Sequence, residues 1–280
     1  MPLLQVAGAR LEVERISVGR EAHAPIVMLH EGLGSVAMWR DFPHRVAHAA
    51  GRDVVVYSRA GYGRSSAASL PYGVRYMHDE ALTVLPALLD ALGIARPFLF
   101  GHSDGASIAL IHAGASGRPV RGLALMAPHV MVEDVSIASI EAAKVAWRAT
   151  DLRARLSRHH DDVDAAFAGW NDIWLHPDFR AWSIEDETRR VRCPVLAIQG
   201  VEDEYGTMAQ IDAIAAAHPA TELLKLPDCG HSPHRDHPAQ VAEAVTRFLR
   251  RHRPAAPGRP KQGPPLSEGC PPYPAGGALS

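Results

Sequence analysis

The stretch Pro97-Phe98-Leu99-Phe100-Gly101-His102-Ser103-Asp104-Gly105-Ala106-Ser107-Ile108-Ala109-Leu110 decides the fold. Pro97–Phe100 is a short apolar run that reads as a strand, and Ala106–Leu110 reads as the start of a small-residue helix. The pentapeptide G-x-S-x-G joins them. A tight strand-to-helix turn of this kind, a nucleophile elbow, lifts the central side chain above the sheet, and the helix N-terminus aims backbone N–H groups at any anion forming beside it. Flanking glycines let the backbone pack closely. The pattern alone also fits a surface turn that happens to hold a serine; the strand before it and the helix after it single out Ser103 as a candidate nucleophile.

Outward from this point the chain alternates. Leu3 to Val18 varies between apolar and polar residues around Gly8-Ala9, as a β-hairpin does. Short apolar runs follow at Ile26–Leu29, Val54–Tyr57, Phe98–Phe100, Leu123–Met126, Val195–Ile198 and Leu223–Leu226. Their lack of clean alternation suits strands buried on both faces of a mostly parallel sheet. Helical spacing appears over Asp79–Leu92, Ala106–Ala113 and Ala239–Arg250. The expected fold class is therefore α/β, a mostly parallel doubly wound sheet flanked by helices. Between about Pro128 and Arg190 no strand-like run occurs, yet four of the five tryptophans lie there, which reads as a helical insertion. The expected organisation is a core of residues 1–127 and 191–253, an insertion over 128–190, and a Pro/Gly-rich tail over 254–280. That tail is expected to be disordered, because it cannot bury enough surface to offset its ordering entropy.

A serine hydroxyl is a poor nucleophile at neutral pH and needs an adjacent base. Asp228-Cys229-Gly230-His231-Ser232-Pro233-His234 follows the last strand, and His231 is favoured over His234 and His237 because it follows Gly230 and lies nearest the strand end. A third group must orient the imidazole. After the strand ending at Gly200 come Glu202, Asp203 and Glu204; Asp203 is chosen for its short side chain, with the two glutamates expected to be solvated. Oxyanion donors are expected from the N–H of Asp104 and from the loop His30-Glu31-Gly32-Leu33-Gly34-Ser35, first Gly32 and then Leu33. His231–His237 lacks the histidine that a metal-binding H-x-H-x-D-H would need at Ser232, so no metal is expected. Gly61-x-Gly63 lacks the third glycine and the helix start of a nucleotide-binding loop.

Composition excludes several classes. With 47% hydrophobic and 21% charged residues and a net charge of −2, the 280-residue chain is neither fibrous nor basic enough to suggest nucleic acid as a partner. No apolar run is long enough to span a bilayer and no signal peptide is apparent. Three scattered cysteines fit a reducing compartment, so a cytoplasmic protein with no membrane association is expected. Homo-oligomerisation is left open.

Taken together, these motifs resemble the α/β-hydrolase superfamily, in its esterase, lactonase and C–C hydrolase branch with a helical cap. The resemblance covers roughly Ile26 to Leu249 and includes Arg59-Ala60-Gly61-Tyr62-Gly63-Arg64-Ser65, Gly200–Asp203 and Gly230-His231. It implies that residues 128–190 cap the site, that the Gly61-x-Gly63 loop is structural, and that catalysis needs no cofactor. Relatives usually carry His-Gly where this chain has His30-Glu31. A carboxylate facing the site would oppose an oxyanion, so Glu31 is expected to turn away or pair with a cation, with Arg59 a candidate partner.

The order Ser103, Asp203, His231 is that of α/β-hydrolases, and a serine at the elbow argues against the aspartyl chemistry of dehalogenases and epoxide hydrolases. The expected substrate is a small molecule, a carboxylic ester or lactone, met by Trp147, Trp170, Trp174 and His129; simple packing is the competing reading of each tryptophan. His129, Arg148 and His159 are candidates for meeting a substrate carboxylate, with solvated cap surface as the competing and favoured reading. C–C cleavage of a ring-fission product and thioester hydrolysis are the enzymatic alternatives. A ligand-binding receptor or scaffold is the alternative of another class, since fold does not fix function.

Overall fold

A computed structural model describes residues 3–18 and 24–252; the tail assigned to disorder lies outside the described residues. The chain opens with β1 (Leu3–Val6) and β2 (Ala9–Ile16), an antiparallel hairpin. Its turn falls on Ala7 and Gly8, both at positive φ (46° and 84°), one residue earlier than expected. Two left-handed residues match the twist of the flanking strands, which explains the placement.

Then follow β3 (Ile26–Leu29), α1 (Phe42–Ala50) and β4 (Val54–Tyr57), and a helical stretch of α2 (Tyr76–Asp79), a π turn at Glu80–Val84 and α3 (Leu85–Ala91). β5 (Phe98–His102), α4 (Asp104–Ala115) and β6 (Gly122–Met126) form the centre. The chain next runs through α5 (Asp134–Ala149), α6 (Leu152–Leu156), α7 (Val163–Trp174) and α8 (Glu185–Arg190). It returns to the sheet with β7 (Val195–Gly200), α9 (Ala209–Ala217) and β8 (Glu222–Leu226), and finishes with α10 (Pro233–Asp236) and α11 (Pro238–Arg251).

The eight strands lie in the order β1-β2-β4-β3-β5-β6-β7-β8, parallel from β4 onward. Because strand side chains alternate, each central strand feeds two cores. Ile26, Met28, Phe98 and Phe100 meet Val46 of α1 and Val241, Val245 and Phe248 of α11. Val27, Leu29 and Leu99 meet Leu85 and Leu88 of α3 and Ile108 and Leu110 of α4 on the opposite face, and that core runs on into Trp170 and Trp174 of α7. The exception is β8, an edge strand whose Leu223 is exposed, so it is not buried on both faces as its composition suggested.

The chain runs from β3 outward to β4, then back past β3 to β5. Between β3 and β5 the strand order therefore reverses, and the carboxyl ends of strands at such a switch point leave a crevice where ligands bind. The loop 30–35 leaves β3 there and Ser103 leaves β5.

Candidate active site

Ser103 sits between β5 and α4 at φ 52°, ψ −120°, a region an L-residue enters only when the surroundings hold it there. Its N–H donates to the Met126 carbonyl (2.9 Å), while its own carbonyl accepts from the N–H groups of Ala106 and Ser107. The two elbow glycines are needed for close approach. A Cβ on Gly101 would strike Gly105 and Ala106 backbone, and one on Gly105 would strike the carbonyls of Leu29 and His30. Ser103 keeps 6% of its surface accessible, in a cavity of about 120 Å³ that also includes Gly32, Leu33, His129, Trp170, Trp174 and His231. Wider depressions exist, among them a cleft of about 600 Å³ beside Tyr72 and Tyr76, but the serine, the histidine and the glycine loop meet only in this one among those described.

His231 Nδ1 lies 2.8 and 3.0 Å from the two carboxylate oxygens of Asp203. Asp203 also accepts from the Tyr205 N–H (2.8 Å) and from Gln199 Nε2 (2.7 Å). Burial alone would raise its pKa, but the His231 hydrogen bond and charge and the Tyr205 N–H outweigh that, and the carboxyl stays below its ordinary range. Glu202 and Glu204 are exposed, as expected, and also grip the histidine loop: Glu202 accepts from the Cys229 N–H (2.6 Å) and Glu204 from the His231 N–H (3.1 Å). A Cβ on Gly200 would strike the carbonyls of Cys229 and Gly230, so this glycine is what lets the two loops close on each other.

The competing histidines are engaged elsewhere. His237 Nε2 bonds the Asp228 carbonyl (3.0 Å), and His234 is buried against Trp39, Phe42 and His102. Burial foremost, and then the charge of His102, hold the His234 pKa down at about 2. Because the unfolded value is near 6.5, the unfolded chain takes up a proton below that pH which the folded chain refuses, so stability falls as pH falls. Between pH 6.5 and 5 this amounts to about 2 kcal/mol. The urea midpoint of His234→Phe is therefore expected to depend less on pH between 7 and 5 than that of the wild type; equal dependence would count against this account.

The β3 loop is held from three sides. His30 Nε2 accepts from the Arg59 N–H (3.0 Å), which leaves Nδ1–H to donate to the Glu31 carbonyl (2.6 Å). Arg59 Nη2 donates to the same carbonyl (2.9 Å). His160, from the helical segment, accepts the Gly63 N–H at Nδ1 and donates from Nε2 to the Leu33 carbonyl (both 3.0 Å). No feature of the sequence marked His160 for this, since its partners lie about 100 residues away.

Glu31 lines the cavity and pairs with a cation, as expected, but that cation is not Arg59. Its carboxylate lies 3.5 Å from His102 Nδ1 and 3.5 Å from Arg235. Arg59 pairs instead with Asp104 (3.6 Å), whose carboxyl also accepts from Tyr76 OH (2.8 Å). Burial raises the Asp104 pKa, with Arg59 and Tyr76 opposing. The side chain of Asp104 is thus anchored beneath the elbow, leaving its N–H in the first turn of α4, where no intrahelical carbonyl is available to it.

Trp170 and Trp174 line the cavity, and a Cβ on Gly32 would collide with the Trp170 indole. Trp147 does not line it. It stacks on Phe167 with ring centroids 4.0 Å apart, a packing role. His129 is not on the surface: it is 2% exposed and lines the cavity beside Trp174 and His231, where burial first, then the His231 charge, hold its pKa to about 3. A neutral imidazole offers a hydrogen bond but no charge. Among the described residues no group of side chains could hold a metal ion, and no helix is long and apolar enough to cross a membrane.

A strained serine at the switch point of a mostly parallel sheet, with a carboxylate-bound histidine in the same cavity, defines a class of protein. The alpha/beta hydrolase family model matches residues 26–244, and the chain belongs to that family. It is 29% identical to a putative carbamate hydrolase, RutD, of Pseudomonas savastanoi pv. phaseolicola, over 82% of this chain and 95% of the relative. In structure it is similar to a carboxylesterase of Nitrososphaera gargenis (TM-score 0.72, 18% identity, 90% and 98% of the two chains). It is also similar to the enol-lactonase of Burkholderia xenovorans LB400 (TM-score 0.69, 21% identity, 89% and 100%).

Proposed function

We propose that this chain is a serine hydrolase that cleaves a small carboxylic ester or lactone through an acyl-enzyme on Ser103. The observation that carries this reading is the Asp203–His231 pair opening into the same cavity as a serine in a strained strand-to-helix turn. Asp203 occupies Nδ1, so Nε2 is the nitrogen left to act as base. Ser103 Oγ attacks the carbonyl carbon while His231 takes the hydroxyl proton, and the resulting oxyanion accepts from the N–H groups of Asp104 and Gly32, with Leu33 next in line. The protonated imidazole then gives its proton to the departing alkoxide. Water, deprotonated by His231, adds to the acyl-enzyme and releases the acid and free Ser103.

The cavity of about 120 Å³ is slightly smaller than the roughly 150 Å³ that accommodates benzene in an apolar protein interior. A compact acyl group between Trp170 and Trp174 is the reading this favours, with residues 128–190 serving as the cap. A neutral His129 favours a neutral acyl group over one bearing a second carboxylate. Because one relative is named a putative carbamate hydrolase, a small carbamate belongs beside esters, lactones, thioesters and ring-fission products in the substrate panel.

The test is mass-spectrometric labelling with a fluorophosphonate. The wild type is expected to be modified at Ser103, and Ser103→Ala to remain unmodified, followed by turnover of a member of that panel. A correctly folded wild type that resists the probe would overturn the reading in favour of a binding protein.

A further inference from the structure

A groove between the helical segment and the core carries charge that the proposed reaction leaves unused. It measures about 370 Å³, and its lining includes Arg40, Arg155, Arg158, Arg235 and His159, with no carboxylate. In a chain of net charge −2, four guanidiniums around one depression repel each other and favour an anion between them. Neighbouring acids do little to answer them. Among the described residues, Arg155 meets Asp151 at 3.4 Å and Arg235 meets Glu31 at 3.5 Å, while Arg40 and Arg158 have no carboxylate partner.

Two further observations mark the same place. After burial, the charges of Arg158, Arg235 and Arg40 lower the pKa of His159, so three guanidiniums from separate parts of the chain act on one ring. Arg40 also sits at φ 54°, ψ −129°, where glycine would be less strained, yet the position holds a long cation. Two contacts link the groove to the wall of the Ser103 cavity. Arg235 pairs with Glu31 of that cavity's wall, and His159 precedes His160, which holds the carbonyl of the wall residue Leu33.

We propose that this groove binds a phosphate group on the leaving half of the substrate, while the acyl half occupies the cavity beside Trp170 and Trp174. A single carboxylate fills one guanidinium fork. A phosphate dianion presents three strongly accepting oxygens, which suits several guanidiniums converging from different directions. The acyl half of this assignment rests on the serine-hydrolase reading; the phosphate half rests on the groove alone.

The experiment compares 1-acetylglycerol 3-phosphate with 1-acetylglycerol, in the wild type and in Arg40→Gly/Arg158→Ala. Both substitutions fall on exposed side chains, and glycine suits the backbone at position 40. The wild type is expected to favour the phosphorylated ester in kcat/KM by about ten- to a hundredfold, the scale of one charged hydrogen bond. That preference should weaken with added salt and fall to near one in the double variant, with the melting temperature retained. A wild-type ratio near one, or a ratio that survives the double substitution, overturns the assignment. If neither ester turns over and the fluorophosphonate fails to label Ser103, the hydrolase reading is what has failed. Calorimetric titration with inorganic pyrophosphate then decides the groove independently: binding lost in the double variant supports it, and absence of binding by the wild type overturns it.

Discussion

Ser103→Gly is expected to abolish turnover and fluorophosphonate labelling while raising the melting temperature. Loss of the nucleophile in a serine–histidine–carboxylate site costs on the order of 10⁶ in kcat, because the remaining groups have nothing to activate. The gain in stability comes from the backbone. At φ 52° a side chain is held in a conformation that costs about 1–3 kcal/mol, and glycine removes the penalty. Glycine also gives back part of that gain through greater freedom in the unfolded chain, leaving about 1 kcal/mol, or roughly 2–4 °C in a domain of this size. Ser103→Ala is expected to lose activity equally without that gain, since alanine keeps the strain. A comparison of both variants by calorimetry and steady-state kinetics tests the account; a lower melting temperature for the glycine variant, or activity retained in either, refutes it.

Asp203→Asn is expected to lower kcat by about 10⁴-fold at neutral pH, with little change in fold. Each carboxylate oxygen of Asp203 faces His231 Nδ1 and one more donor, the Tyr205 N–H on one side and Gln199 Nε2 on the other. Whichever way the new amide turns, its NH₂ faces a donor. The imidazole loses both its orientation and the charge that stabilises its protonated form. The native carboxyl, lowered below its ordinary range, is ionised at neutral pH; the stability it contributes is present above the unfolded value near 3.9 and is lost as pH falls through the folded value. The kinetic measurement is kcat on a reactive ester, with the rate of fluorophosphonate labelling as a parallel readout. A loss of less than tenfold would show that Asp203 does not serve His231 in this way.

Much of this molecule is written locally. The switch from an apolar run to a small-residue helix around Gly101–Gly105 determined the strand, the turn and the helix, because each is stabilised by contacts within a few residues. The parallel strands were legible for a similar reason: a strand buried on both faces must be apolar throughout, and Ile26–Leu29 or Val54–Tyr57 is. That Asp203 meets His231, and that His231 shares a cavity with Ser103, was foreseeable too, since each residue follows a strand and the carboxyl ends of parallel strands share one edge. Where the reading went astray, the cause was tertiary. Trp147 and Trp170 look alike in sequence, and only the packing of α5 on α7 sends one onto Phe167 and the other into the cavity. The partner of Glu31 was decided by the fold, which brings His102 and Arg235 to its carboxylate and spends Arg59 on Asp104. The convergence of Arg40, Arg155, Arg158 and Arg235 has the same origin. Local sequence determined the elements and the ends from which chemistry can act; which distant charges meet there was decided by long-range packing, because burial and Coulomb interaction depend on distance in space and not on distance along the chain.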